Sequence, residues 1–259
     1  MRKWIAAIVV VAVVLLAFYG PLFPWSPVKL GYKHYILNRA DVYYPNGTHL
    51  DPAFEQIDFL IASAENYHQM KMTDRITVIL SRDWNDFHFK NPWLRGNAVG
   101  AATLQTGTVI YVTPKLAEKH LDPAEFLRHE LSHAILDQNN TLWRGYKLSR
   151  QLWLFEGIAV AFGDQKTYIT RDEFLAQVKN TALKPSFEGA NPDMRFNYVA
   201  WRYFLEYLMR TRSRAAFQSY LTSAMQDPDR VHALFPSSFG ASFDDAVSEF
   251  EAHARSGDL

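Results

Sequence analysis

The segment FLRHELSHAILDQ, Phe126 to Gln138, constrains this chain more than any other. Just ahead of it, Asp122 fits an N-cap, Pro123 the first helical position and Glu125 the third, so a capping box is available and a helix starts there. Phe126, Leu127, Leu131, Ala134, Ile135 and Leu136 place apolar residues on most sides, so the helix is expected to be partly buried around its motif. His129 and His133 are four residues apart and share one face. Two imidazoles buried on one face are costly without partners, and a metal ion is the obvious partner. Glu130 sits about 100° round from His129, where it reaches a water beside a metal without being forced to ligate. The spacing H-E-x-x-H therefore reads as two zinc ligands and a general base. The competing reading is a helix with two exposed histidines and an accidental match.

A zinc site of this kind needs a third protein ligand. The sequence has no Cys, so any metal must use histidine and carboxylate. No His follows His133 within ten residues, and Leu136 and Asn139 stand where H-E-x-x-H-x-x-G-x-x-H would need Gly and His. The segment QLWLFEGIAVAFGD supplies a carboxylate instead. Glu156 is its only acid between Ser149 and Gly163, and a lone carboxylate in so apolar a helix needs a cation or a hydrogen-bond network. Gly157 beside it is expected to let this helix approach the motif helix closely. The expected cofactor is one Zn2+ per chain on His129, His133 and Glu156.

At the N-terminus, Arg2 and Lys3 precede 16 apolar residues, Trp4 to Tyr19, and no charge follows until Lys29. The run is apolar all round, which argues against a buried amphipathic helix. A helix from Trp4 to Trp25 would span about 33 Å, enough for a hydrocarbon core of about 30 Å, although Gly20, Pro21 and Pro24 stand against its continuity. A cleaved signal peptide is the rival, but the run is at the long end for one and lacks an A-x-A site. We read residues 1–28 as an uncleaved single-pass anchor and linker, with Pro21 to Pro27 leaving the membrane. Residues 29–259 then form one domain on the outer, periplasmic or extracellular, face.

Within that domain a helix is expected over residues 51–70, a strand over 75–81, and a polar, aromatic loop over 81–97. A hairpin follows over 100–114, with Gly107 in its turn. Helices then follow over 122–139, 149–162, 171–179, 197–211, near 215–225, and over 243–255. The fold class is α+β: a small N-terminal mixed sheet, a motif helix and a C-terminal helical lobe. At 48% hydrophobic and 15% aromatic residues the chain can bury a full core, and 27 basic against 27 acidic residues give no argument for nucleic acid.

HELSH followed 23 residues after His133 by WLFEGIAVAF resembles the gluzincin group of zinc metallopeptidases, closely over Glu125 to Gly163 and loosely beyond. The resemblance implies a zincin-like fold, zinc on His129, His133 and Glu156, and Glu130 as base. It also implies an extended peptide or protein substrate paired to a strand before the motif helix, for which GAATLQTGTVIYVT is the natural candidate. Members use a Tyr or His of the helical lobe to stabilise the oxyanion. Here Tyr198 is the first choice and His232 and His253 are the alternatives, while His34, His49, His68, His88 and His120 read as surface or loop residues. Two departures matter. Val160 stands where the thermolysin-like branch has an Asp, leaving Asp137 as a possible partner for a ligand, and GNAVGAATL lacks the acid with which the aminopeptidase branch binds an amino terminus. An endopeptidase is therefore expected before an aminopeptidase. The alternative is a catalytically silent zincin-like domain that binds a cell-envelope protein. Substrate identity and oligomeric state are not legible.

Overall fold

The computed structural model describes residues 2–94, 100–165 and 168–259, with side chains from Trp4 onward. Arg95 to Asn97 of the expected aromatic loop, Gly96 to Val99 of GNAVGAATL, and the side chains of Arg2 and Lys3 lie outside the described residues. In chain order the main elements are α1 (Arg2–Tyr19), β1 (Tyr32–Ile36), β2 (Ala40–Pro45), α2 (Ile57–His68), β3 (Ile76–Leu80) and α3 (Trp84–Lys90). β4 (Ala101–Thr103) and β5 (Val109–Val112) precede α4 (Pro123–Gln138), α5 (Leu142–Ser149), α6 (Leu152–Gly163) and α7 (Arg171–Val178). The chain closes with α8 (Met194–Thr211), α9 (Arg214–Gln226) and α10 (Phe243–Ser256). The α+β class is as expected, with a mixed sheet followed by helices.

The sheet runs β1-β2-β3-β5-β4, parallel at β2/β3 and β3/β5 and antiparallel at both edges. The expected hairpin is present as β4 and β5, with Ala101 opposite Val112. β1 and β2 were not anticipated. Their residues are polar and aromatic, without clean alternation, and β2 is held by parallel pairing to β3, a contact far away in sequence. The expected loop also contains α3, capped by the Asp83 carboxylate, which accepts from the Asp86 N–H at 2.8 Å.

Alternation along the strands gives the sheet two buried faces. Val42, Ile76, Val78, Ile110 and Val112 face the main core with α2 and α4. Ile79, Val109 and Tyr111 face a second, smaller core with Phe23 and Phe87. Within the expected linker, Phe23–Trp25 forms a 3-10 turn and Phe23 is fully buried against the sheet. α1 stops at Tyr19, before Gly20 and Pro21, after 18 residues, or about 27 Å. Among the described residues no helix is long and apolar enough to cross a membrane.

Candidate metal centre

The motif helix α4 starts where the sequence places it, with the Asp122 carboxylate accepting from the Ala124 N–H at 2.9 Å. It lies beneath the sheet and against α2 and α6, and every residue from His129 to Asp137 is buried. His129 and His133 are thus not exposed histidines on a surface helix. Their Nε2 atoms face each other at 3.0 Å. Glu156, on α6, brings Oε2 to 3.3 Å from His129 Nε2 and 3.5 Å from His133 Nε2. One donor atom from each residue lies within 4.8 Å of the others, and the group could hold a metal ion.

The electrostatics of the three are mutual. Burial alone would raise Glu156, but the two imidazoles and their hydrogen bonds outweigh it and hold the carboxyl well below the usual range. Burial would lower His133, yet Glu156, with Glu130 and Asp137 behind it, raises it to about 9. A buried cluster of this kind is a carboxylate in need of positive charge, which is what a cation supplies.

Neighbours fix each ring. His129 Nδ1 pairs with Gln165 Oε1 at 2.9 Å. A carboxamide oxygen only accepts, so Nδ1 carries the proton and Nε2 keeps its lone pair toward the cluster. The Phe155 ring stacks on His133, with centroids 4.2 Å apart and 14° between planes. His133 Nδ1 and Asp137 Oδ1 are buried without hydrogen-bond partners, and burial pushes Asp137 up to about 7. Glu130 also lines the site, and its carboxylate is held at the edge strand, where the Thr103 hydroxyl donates to Oε2 at 2.8 Å.

Two glycines set the helix spacing. A Cβ on Gly157 would lie 3.0 Å from Trp201 Cβ and 3.1 Å from Leu205 Cδ1, so this glycine admits α8 and not the motif helix, as had been expected. The approach to α4 belongs to Gly163, where a Cβ would lie 3.2 Å from the Glu125 carbonyl.

A cleft of about 740 Å³ opens over the three donors. It is lined by the edge strand from Gly100 to Thr103, by Glu130 and Asp137, and on the far side by Tyr168, Arg195 and Tyr198. Tyr198 therefore reaches the cleft, with its ring centroid 4.9 Å from that of Tyr168. Burial raises both phenols, and for Tyr198 the Glu156 and Glu130 carboxylates raise it further, so both stay protonated. His232 and His253 lie elsewhere: His232 stacks on Phe243 at 4.1 Å and His253 packs on Tyr207 at 5.4 Å. His68 is not a surface residue. It is fully buried at the end of α2, and burial takes it down to about 3.

Gln165, Thr103, Phe155 and Tyr168 were missed from sequence. Thr103 lay within the expected hairpin, but nothing in its local pattern aims it at Glu130. Gln165 follows Asp164, whose left-handed backbone (φ 48°) turns the chain back under His129, and no periodicity signals that. No protein-family model matches the chain, and no curated protein matches it either.

Proposed function

We propose that the chain is a zinc-dependent hydrolase that cleaves peptide bonds, of the gluzincin kind. The observation that carries this is the triangle of His129 Nε2, His133 Nε2 and Glu156 Oε2, with sides of 3.0, 3.3 and 3.5 Å. Donors bonded at about 2.0–2.1 Å to a tetrahedral ion stand about 3.3–3.4 Å apart, so the triangle fits three corners of zinc coordination and leaves the fourth to the cleft. When bound there, zinc lowers the pKa of water and polarises a carbonyl oxygen.

The chain's own residues supply the rest. Glu130 takes a proton from the attacking water at Oε2 and delivers it to the leaving amine, with Thr103 holding the carboxylate in place. Tyr198, kept protonated, donates to the oxygen that gains negative charge, and Tyr168 backs its ring. β4 is the last strand of the sheet and lines the cleft, so one of its edges is available to an extended peptide. The segment GNAVGAATL, which runs into the edge strand, carries no acid with which to bind an amino terminus. That supports an endopeptidase. We assign α1, whose apolar side chains from Trp4 to Leu16 are exposed, to membrane attachment, with the domain on the outer face.

Full-length protein, loaded with zinc and offered a mixed peptide library, is expected to cleave it. Glu130→Gln is expected to keep its metal and lose turnover. Zinc bound without cleavage of any peptide by the wild type would refute the hydrolase and leave a binding domain. Full activity in Glu130→Gln would refute the mechanism.

A further inference from the structure

The second face of the sheet carries the strongest feature that catalysis does not use. Phe23 is fully buried there and ties the end of α1 to the domain. The Lys90 ammonium lies 4.1 Å from the centre of the Phe23 ring and is itself fully buried, bonded to both Asp86 oxygens at 2.7 Å and to the Tyr32 hydroxyl at 2.6 Å. Lys29 closes over the other side, its ammonium 5.2 Å from the ring centre and bonded to the Pro24 carbonyl at 3.0 Å. Only Gly20, Pro21 and Leu22 separate α1 from this clamp. Even fully extended, the path from Tyr19 to Phe23 is about 14 Å.

Exposed apolar side chains stand beside the clamp in the chain. Leu22, Trp25 and Val28 flank Phe23 in the chain, and Trp25 is 59% exposed. Phe89 (54% exposed) on α3 and Trp93 (55%) just beyond it add two aromatics, and α3 touches α1. Large aromatics exposed next to an apolar helix match the headgroup region of a bilayer, where Trp concentrates.

We propose that the face formed by Leu22, Trp25, Val28, Phe89 and Trp93 rests in the lipid interface, so that the domain is seated flat on the bilayer rather than swinging on a tether. This rests on the assignment of α1 to the membrane. α4 packs in the main core and Phe23 and Phe87 in the second core on the other face of the sheet, so the three donors lie across the sheet from the clamp.

The absence of Cys allows single-cysteine labelling of the full chain. Val13→Cys in α1, Phe89→Cys, Trp93→Cys and Phe59→Cys, the last on α2 beyond the opposite face of the sheet, would each carry an environment-sensitive fluorophore. Each protein is reconstituted into phosphatidylcholine–phosphatidylglycerol vesicles, one set containing a lipid with a quencher near its headgroup and a second set a lipid with a quencher deep in its acyl chain. The proposal expects a blue shift and loss of emission at positions 13, 89 and 93, and neither at 59. Quenching at 13 with positions 89 and 93 behaving like 59 would overturn the seated domain and leave a tethered one. No quenching at 13 would remove the membrane assignment itself, and the proposal with it.

Discussion

Replacing Gln165 by Met tests whether the metal site is built outward from its ligands. The change keeps volume and an unbranched side chain at a position only 4% exposed, and removes one acceptor. His129 Nδ1 then loses its partner at 2.9 Å, and with it the bond that fixes the tautomer presenting Nε2 to Glu156. Loss of such an outer partner typically weakens metal binding about 10–100-fold, or about 1.4–2.7 kcal/mol. Zinc affinity is measured by competition with a chromophoric chelator, and the melting temperature of the metal-free protein serves as a folding control. The expected result is an affinity drop in that range with the metal-free melt little changed. An affinity equal to wild type would refute the reasoning, since Gln165 would then be mere packing and the orientation of His129 would come from α4 alone.

Three other outcomes follow from the packing. His68→Leu removes a buried imidazole with no partner on either nitrogen. Because burial lowers its pKa from 6.5 to about 3 in the fold, the unfolded chain takes up the proton first. Its stabilising share is whole above pH 6.5 and falls by up to about 1.4 kcal/mol per unit below it. Urea denaturation between pH 6.5 and 4.5 should show that slope in the wild type and a shallower one in the variant. Gly157→Ala forces α6 off Trp201 and Leu205, with an expected loss of about 1–3 kcal/mol, and it weakens zinc binding through the adjacent Glu156. Thermal melts and metal titration read the two effects. Phe23→Ala empties the centre of the second core and strips the ring from Lys90, for an expected loss of about 3–5 kcal/mol in denaturation of the full chain. A loss under about 1 kcal/mol would show that Phe23 contributes little to holding this segment on the domain.

What the sequence made legible was local. The start of α4 is written in Asp122 and Pro123, and the i, i+4 spacing of His129 and His133 needs only a helix to put them together. Glu156 stood out because a single carboxylate in LWLFEGIAVAFG has no cheap place to be buried. What escaped was set by contacts between distant segments. β2 exists because β3 is beside it, with Val42 opposite Val78. His68 is buried against Phe162, 94 residues further on, whose ring centre lies 5.6 Å from its own. Gln165 and Thr103 act on the site from a turn and a sheet edge, where residue type carries no spacing rule.

α6 explains why such a site can be both buried and open. One side of it meets α8 through Gly157, and its C-terminal end meets α4 through Gly163, where Arg128 also bonds the Gly163 carbonyl at 3.1 Å. Glu156 is adjacent to the first of these contacts and is directed at ligands on the helix that makes the second. The three donors thus come from two helices whose separation is fixed by close contact on both sides, so the 3.0–3.5 Å triangle is a property of the core packing. An ion held there joins the sheet-and-motif layer to the helical lobe. Its binding then adds to the stability of the whole fold with the logarithm of the ratio of its concentration to its dissociation constant. The cleft lies between β4, a three-residue edge strand, and a far wall that includes Tyr168 and Tyr198, whose rings pack on each other at 4.9 Å.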